Sequence, residues 1–216
     1  MGEQFLSLKD HVYDHIASRI ESGELSVGDH ISEQSICAAM GVSRTPVREA
    51  LILLAADGYL DNEPRRGFKV HGFDKERAQE VFEILGALDG EAAFLACDKL
   101  SDEDFAQMHF LIDSMDLAIK NTLFRNYDDL QKTFHETYFN QCNNERLIKE
   151  ISTLLRHFSK REYSNLDKEL QKELLSKANS EHKEILRLLE AGDKLAVRNY
   201  ICDVHWDISN AEFTVW

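Results

Sequence analysis

Proline is confined to the first third of this chain. Pro46 and Pro64 are the only two prolines, and residues 65–216 contain none. Proline removes a backbone donor and interrupts helices, so a long proline-free segment with apolar residues at helical spacing favours an all-α fold. This spacing predicts six helices, at about 74–97, 101–121, 127–141, 145–163, 168–191 and 194–213.

The segment before this bundle begins with two predicted helices. Val12, Ile16 and Ile20 recur every four residues and mark the buried face of the first helix. Ser32 is placed to cap a short second helix, and Gly41 follows its last residue as the glycine that commonly ends a helix.

A third helix and a β-hairpin complete this segment. Thr45 is the expected N-cap and Pro46 the expected first helical residue, where the missing N–H has no partner to lose. Short strands at 59–63 and 68–71 flank a glycine-containing turn at 64–67. Three helices followed by a hairpin predict a winged helix-turn-helix.

The predicted fold class is therefore mainly α, with an N-terminal winged helix-turn-helix over residues 1–72 and a C-terminal all-α six-helix bundle over 73–216. The chain has 25 basic and 39 acidic residues and a net charge of −14, so any contact with nucleic acid must be a small local surface. No apolar run reaches the roughly 18 residues that a membrane span needs, and the four scattered cysteines fit a reducing compartment. We expect a cytoplasmic protein without membrane contact.

The start of the third helix is suited to double-stranded DNA. In a helix-turn-helix, the N-terminal residues of the second helix of the motif meet base edges in the major groove. Arg44 and Arg48 share one face there, and arginine matches the guanine O6 and N7 acceptors. Ser43 and Thr45 are suited to phosphate oxygens.

The tip of the hairpin adds a second basic group. Arg65 and Arg66 are followed by Gly67, which would let the backbone approach a minor groove closely. The alternative is that these arginines are ordinary solvated charges, but the order of helix, turn, helix and basic hairpin favours DNA binding.

Residues 8–72 resemble the GntR-family DNA-binding domain, most specifically in the run Gly41–Leu51. The resemblance implies a homodimeric bacterial transcription regulator that binds a short palindromic operator. Many members carry a basic residue where Gln34 stands, and Gln34 retains the ability to hydrogen-bond a phosphate. The implied DNA-binding residues are Gln34, Ser43, Arg44, Thr45, Arg48, Arg65, Arg66 and Gly67.

Three histidines lie on three different helices of the predicted bundle: His135, His182 and His205. Helices of a bundle can direct side chains to one interior point, and three imidazoles with an open position suit Zn²⁺ or another divalent transition ion. The alternative is that these are hydrogen-bonded core histidines.

Residues 74–210 resemble the FCD (FadR C-terminal domain) effector domain of one GntR subfamily, in its VanR-like six-helix branch. The resemblance rests on Phe134-His135, Asn144, Leu147, Glu181-His182, Ile185, Leu188, Gly192-Asp193 and His205. It implies that the three histidines bind a divalent metal (Zn, Ni or Mn), which helps to hold a small, often carboxylate, effector.

Two positions depart from that pattern. Gln131 stands one turn before His135, where the domain has an aspartate ligand, and it offers a neutral oxygen instead of a carboxylate. Leu85 stands where many FCD domains have an arginine that binds the carboxylate of the effector. Leu85 also fits an apolar stripe of its helix, which accounts for it as a core residue.

These features predict a DNA-binding transcriptional regulator, with repression favoured over activation, whose helical domain binds a small-molecule effector. One alternative is a constitutive dimeric DNA-binding protein that has lost its effector. Another is a metal-dependent hydrolase, since a three-histidine site can activate water. Glu136 and Glu181 adjoin histidines but project about 100° away round the helix, so we predict no enzyme activity.

Overall fold

A computed structural model of the protein describes residues 7–71, 75–155 and 167–213. It divides into two compact units, an N-terminal one and a helical one that follows it. The expected boundary between residues 72 and 73 lies outside the described residues, as does the part of the fourth bundle helix expected at 156–163. Within the described ranges, no helix is both long and apolar enough to cross a membrane.

The N-terminal unit is the predicted winged helix-turn-helix with one additional strand. Its elements are α1 (Leu8–Glu21), β1 (His30–Ile31), α2 (Glu33–Met40), α3 (Arg44–Ala56), β2 (Leu60–Glu63) and β3 (Gly67–Val70). The strands form an antiparallel sheet in the order β1-β3-β2. The two residues of β1 are too few to show an alternating pattern, which is why the sequence did not predict this strand.

Helix α3 begins earlier than the sequence suggested. Ser43, not Thr45, is the N-cap residue, and Arg44 is the first helical residue. Pro46 still lies in the first turn, where backbone N–H groups have no intrahelical partner. Helix α2 ends as predicted at Gly41, whose φ of 66° is a left-handed conformation that glycine adopts easily.

The helical unit contains the six predicted helices. They are α4 (Lys75–Ala96), α5 (Asp102–Lys120), α6 (Phe124–Phe139), α7 (Glu145–Leu155), α8 (Lys168–Glu190) and α9 (Lys194–Tyr200). Helix α6 starts at Phe124 rather than at 127. Ser101 and Asp104 form a capping box at the start of α5, with both reciprocal hydrogen bonds present.

The last helix is the largest departure from the prediction of one continuous helix over 194–213. After α9 the chain makes a π-helical turn at Ile201–His205 and then a 3-10 helix at Ile208–Phe213. The wider turn brings two neighbouring side chains, His205 and Trp206, into the interior together.

Two glycines of α4 allow this C-terminal segment to pack closely. A Cβ atom at Gly90 would lie 2.9 Å from the carbonyl oxygen of Arg198. A Cβ atom at Gly86 would lie 3.2 Å from both the carbonyl oxygen of Cys202 and the Cβ of Trp206. Close backbone approach therefore sets where the π-helical turn lies against α4.

Candidate nucleic-acid interface and metal centre

The N-terminal end of α3 exposes the residues predicted to contact DNA. The opposite face of α3 is fully buried and consists of Val47, Ala50, Leu51 and Leu54. Arg44, Thr45 and Arg48 are therefore held outward by the packing of that apolar face. Ser43 is also exposed, and its hydroxyl makes no capping hydrogen bond, so it is available to another acceptor or donor.

The wing places two further arginines at an exposed tip. Arg65 and Arg66 lie between β2 and β3, and Gly67 begins β3 with a φ of 88°. Gln34 is exposed at the start of α2. The register pairs Glu63 with Gly67, so the tip is a tight three-residue turn.

The arginines of this surface are not neutralised within the described part of the chain. Arg44, Arg48, Arg65 and Arg66 make no ion pair there, whereas Arg146 of the helical unit pairs with Glu150 at 2.6 Å. Exposed guanidinium groups without carboxylate partners can bind phosphates and base edges.

The three predicted metal-binding histidines come together inside the helical unit. His135 of α6 and His182 of α8 are fully buried, and His205 of the π-helical turn is 9% exposed. One possible ligand atom from each lies within 4.8 Å of the others. The Nε2 atoms of His135 and His182 are 3.2 Å apart.

A buried carboxylate fixes the proton position on His135. The Tyr138 hydroxyl donates to Oδ1 of Asp89 at 2.6 Å, and Trp206 Nε1–H donates to Oδ2 at 2.8 Å. Because the only proton of Tyr138 is used on Asp89, its oxygen accepts from Nδ1–H of His135, at 2.6 Å. The lone pair of His135 Nε2 therefore faces the other histidines.

A second carboxylate orients His205. Glu181 Oε2 lies 2.9 Å from Nδ1 of His205 and accepts its proton in a hydrogen bond. The Nε2 atom of His205 is buried and has no hydrogen-bond partner within the described residues. This nitrogen therefore presents an unused lone pair to the centre of the site.

The electrostatics of the site keep two of the histidines neutral. Burial lowers the pKa of His135, and burial together with the neighbouring His205 and His135 lowers the pKa of His182 well below its usual 6.5. For Asp89, burial acts to raise the pKa, but the hydrogen bond and charge interaction with His135 outweigh it and lower the pKa overall. Neutral imidazoles beside an ionised Asp89 are protonation states that favour metal binding.

The two positions that depart from the FCD pattern lie in the same interior. Gln131 is 2% exposed and precedes His135 by one turn of α6. Leu85 is fully buried on α4, one turn before Asp89. An apolar side chain therefore occupies the position at which many FCD domains carry a cation.

Sequence reasoning missed the two carboxylates that orient the histidines. Asp89 follows Leu85 by four residues in an otherwise apolar stripe, and this single acid on a buried face was the available signal. In the sequence Glu181 stands beside His182, as part of the FCD resemblance and as a rejected catalytic base, whereas the wide π-helical turn brings His205 to it. The spacing of α8 alone could not indicate that contact.

A winged helix-turn-helix that exposes arginines at its second motif helix and its wing is typical of DNA-binding regulators. Residues 8–70 match the model of bacterial regulatory proteins of the gntR family, and residues 80–204 match the FCD domain. The protein thus belongs to the GntR family and carries an FCD domain. The relatives of this chain are transcriptional regulators and not enzymes.

Similar proteins come from several bacteria. The "Uncharacterized HTH-type transcriptional regulator YdhC" of Bacillus subtilis is 28% identical over 150 residues, which are 68% of this chain and 66% of that protein. The "Probable D-xylose utilization operon transcriptional repressor" of Paenarthrobacter nicotinovorans is 28% identical over 194 residues, 87% of this chain and 80% of that protein. The chain spans 60% of the "Nta operon transcriptional regulator" of Aminobacter aminovorans.

A solved structure shares the whole fold. Escherichia coli McbR/YncC superposes with a TM-score of 0.73 over 98% of both chains, at 21% sequence identity. At that identity the likeness establishes the fold, and it carries no information about the ligand.

Proposed function

We propose that this protein is a homodimeric repressor that binds a palindromic operator and responds to a small-molecule effector at a divalent metal in its helical unit. The observation that supports this most is the convergence of three buried histidines, two of them oriented by carboxylates. A cytoplasmic location accords with four cysteines that are all free thiols.

DNA binding would use the outer surface of the N-terminal unit. Arg44 and Arg48 would contact base edges, and Ser43 and Thr45 would contact phosphates, with Gln34 as a further phosphate contact. The wing residues Arg65, Arg66 and Gly67 would follow the adjacent minor groove. In a dimer, two copies of α3 would meet successive major-groove turns about 34 Å apart.

The donor set fits a divalent transition ion such as zinc, nickel or manganese. A separation of 3.2 Å between two Nε2 atoms suits two nitrogens on one ion, each at about 2.0–2.1 Å. The unpartnered Nε2 of His205 supplies the third nitrogen. Gln131 is the proposed fourth protein group, as an amide oxygen in place of a carboxylate. The bound ion would supply a Lewis-acidic position for a donor atom of the effector.

Regulation requires that the effector bind the free and the DNA-bound forms with different affinity. The path to such a difference would begin at His205, because the π-helical turn that carries it packs closely against Gly86 of α4, and the preceding helix α9 packs against Gly90. A ligand that moves His205 would therefore move the C-terminal segment against α4.

Metal content tests this proposal directly. Protein purified without a histidine tag should contain about one zinc, nickel or manganese ion per chain by elemental mass spectrometry. His135→Ala should lose that ion. His109→Ala is the matched control, since His109 is exposed and pairs with Glu190 on the surface, and it should retain the metal. If the wild-type protein contains no metal, the proposal is wrong and the three histidines are core residues.

A second candidate is a constitutive dimeric DNA-binding protein with a degenerate effector site. The complete burial of Leu85 favours it, because that position then serves only packing. A thermal-shift screen separates the two: a metal-loaded protein that no small molecule stabilises, and whose operator affinity no small molecule changes, would support the constitutive form.

A further inference from the structure

The helical unit buries negative charge without burying positive charge. Its buried acidic and histidine side chains, among the described residues, are Asp89, Glu181 and the three histidines of the site. No lysine or arginine of the described residues is buried. Burying a charge is unfavourable unless a partner balances it, so this arrangement needs a cation in the interior.

Both carboxylates adjoin the proposed metal site. Asp89 accepts from Tyr138 and Trp206, and its Oδ2 lies 3.4 Å from Nδ1 of His135. Glu181 accepts directly from His205. Each carboxylate therefore lies directly beside a histidine that would bind the ion.

These two negative charges already balance a divalent cation. Leu85, which is fully buried one turn before Asp89 on α4, adds no positive charge to this interior. An anionic effector would leave an uncompensated negative charge in the interior, whereas a neutral effector would leave the site balanced.

We infer that the effector position of this site takes a neutral donor, such as an amide, a hydroxyl or an uncharged ring nitrogen, and discriminates against carboxylates. This inference rests on the proposed metal site. Asp89 and Glu181 act as specificity-determining residues, and they do so through their charge, without touching the effector.

Cobalt-substituted protein provides the test, because its visible absorption reports each change of ligand at the ion. Wild-type and variant proteins are titrated at pH 8 with imidazole, a neutral ligand, and with acetate, a carboxylate. The measured quantity is the ratio of the two affinities within one protein, compared between proteins, so that the intrinsic preference of cobalt for either ligand cancels.

Glu181→Gln removes one buried charge and keeps an oxygen that accepts from His205. We expect the ratio of acetate to imidazole affinity to rise about tenfold or more in this variant, the size of effect that one unbalanced charge has at these distances. Asp89→Asn should act in the same direction. Glu184→Gln is the control on the same helix, since Glu184 pairs with Arg187 at the surface, and its ratio should equal that of the wild type.

Other outcomes would contradict the inference in distinguishable ways. If Glu181→Gln and Asp89→Asn both leave the ratio unchanged, the charge argument is wrong while the metal site stands. If the wild type shows no cobalt spectrum that is sensitive to His135→Ala, the metal site and this inference fail together.

Discussion

The two units of this protein place their charges in opposite ways. The N-terminal unit has an apolar core, formed by α1, α3 and the sheet, and presents its arginines to solvent. All of the buried polar or charged side chains in the described residues belong to the helical unit. An exposed charged side chain can bind an external polyanion without affecting the core. A buried charged side chain contributes to the stability of the fold.

This difference separates two measurable quantities. Changing an outward charge of the N-terminal unit should alter binding and leave the free energy of unfolding nearly constant, because exposed charges contribute little to stability. Changing an inward charge of the helical unit should alter both the stability and the site, because each such group is the partner of another buried group.

The largest expected effect is the loss of stability on removing Asp89. In Asp89→Ala the Tyr138 hydroxyl and the Trp206 indole N–H both lose their buried acceptor. We expect the free energy of unfolding to fall by about 3–5 kcal/mol, measured by urea denaturation.

Asp89→Asn is the companion variant, since it keeps the shape and one acceptor oxygen, and it should lose distinctly less. Equal losses in both variants would mean that the packing volume at this position matters and the carboxylate does not.

The second effect is on DNA binding. Arg44→Ala combined with Arg48→Ala should weaken operator affinity by about 2 kcal/mol or more, since each base contact by arginine contributes about 1–3 kcal/mol. The thermal unfolding midpoint should hardly move, because neither arginine has a partner in the described part of the chain. Fluorescence anisotropy with labelled operator DNA measures the affinity.

Arg146→Ala combined with Arg187→Ala is the matched control for total charge. Both of these arginines are exposed in the helical unit and pair with neighbouring glutamates. Equal weakening in the two double variants would show that net charge, rather than the surface of α3, governs the affinity.

The N-terminal unit was largely predictable from its sequence because its signals are local. Capping residues, the apolar face of α3 and the turn at the wing each lie within a few residues of one another. The N-cap of α3 was misassigned to Thr45 because Ser43 and Thr45 are both good capping residues and the spacing does not choose between them.

The helical unit shows the limit of the same reasoning. Helical periodicity predicted six helices, and the histidines could be selected through a family resemblance. The π-helical turn was not predictable, since it results from the packing of the C-terminal segment against α4 and from the two buried partners of His205 and Trp206. Contacts between residues 24 and 117 positions apart leave no pattern within either helix.

The third prediction concerns that close packing. In Gly90→Ala the new methyl group would meet the backbone oxygen of Arg198 at 2.9 Å, so the C-terminal segment must shift. We expect a loss of about 1–3 kcal/mol in the free energy of unfolding, together with weaker metal binding because His205 moves with the segment.

Gly86→Ala is the milder companion, with its nearest contacts at 3.2 Å. A Gly90→Ala protein with unchanged stability and unchanged metal content would contradict the role of this approach in placing His205.

The smallest expected effect is on the free energy of unfolding when an exposed charge of the helical unit is changed. Such a charge should contribute little to stability, as in the N-terminal unit. Asp104 accepts hydrogen bonds from the side chain and backbone of Ser101 at 2.7 and 2.8 Å, and these bonds lower the pKa of its carboxyl below 3.8. A carboxyl with a lowered pKa in the folded state stabilises the protein above its unfolded pKa, and the contribution disappears as pH falls through the folded value. Asp104→Asn should therefore cost a few tenths to about 1 kcal/mol at pH 7 and progressively less below pH 3.8.

Asp102→Asn isolates the hydrogen bonds from the general attraction of a negative charge to the helix N-terminus. Asp102 lies in the same first turn of α5, and the favourable charge-dipole term is common to both acids. Urea denaturation at several pH values should give a larger loss for Asp104→Asn at pH 7, and the difference between the two variants should vanish in acid. A difference that persists unchanged to low pH would show that the charge of the Asp104 carboxylate contributes nothing to stability through the cap.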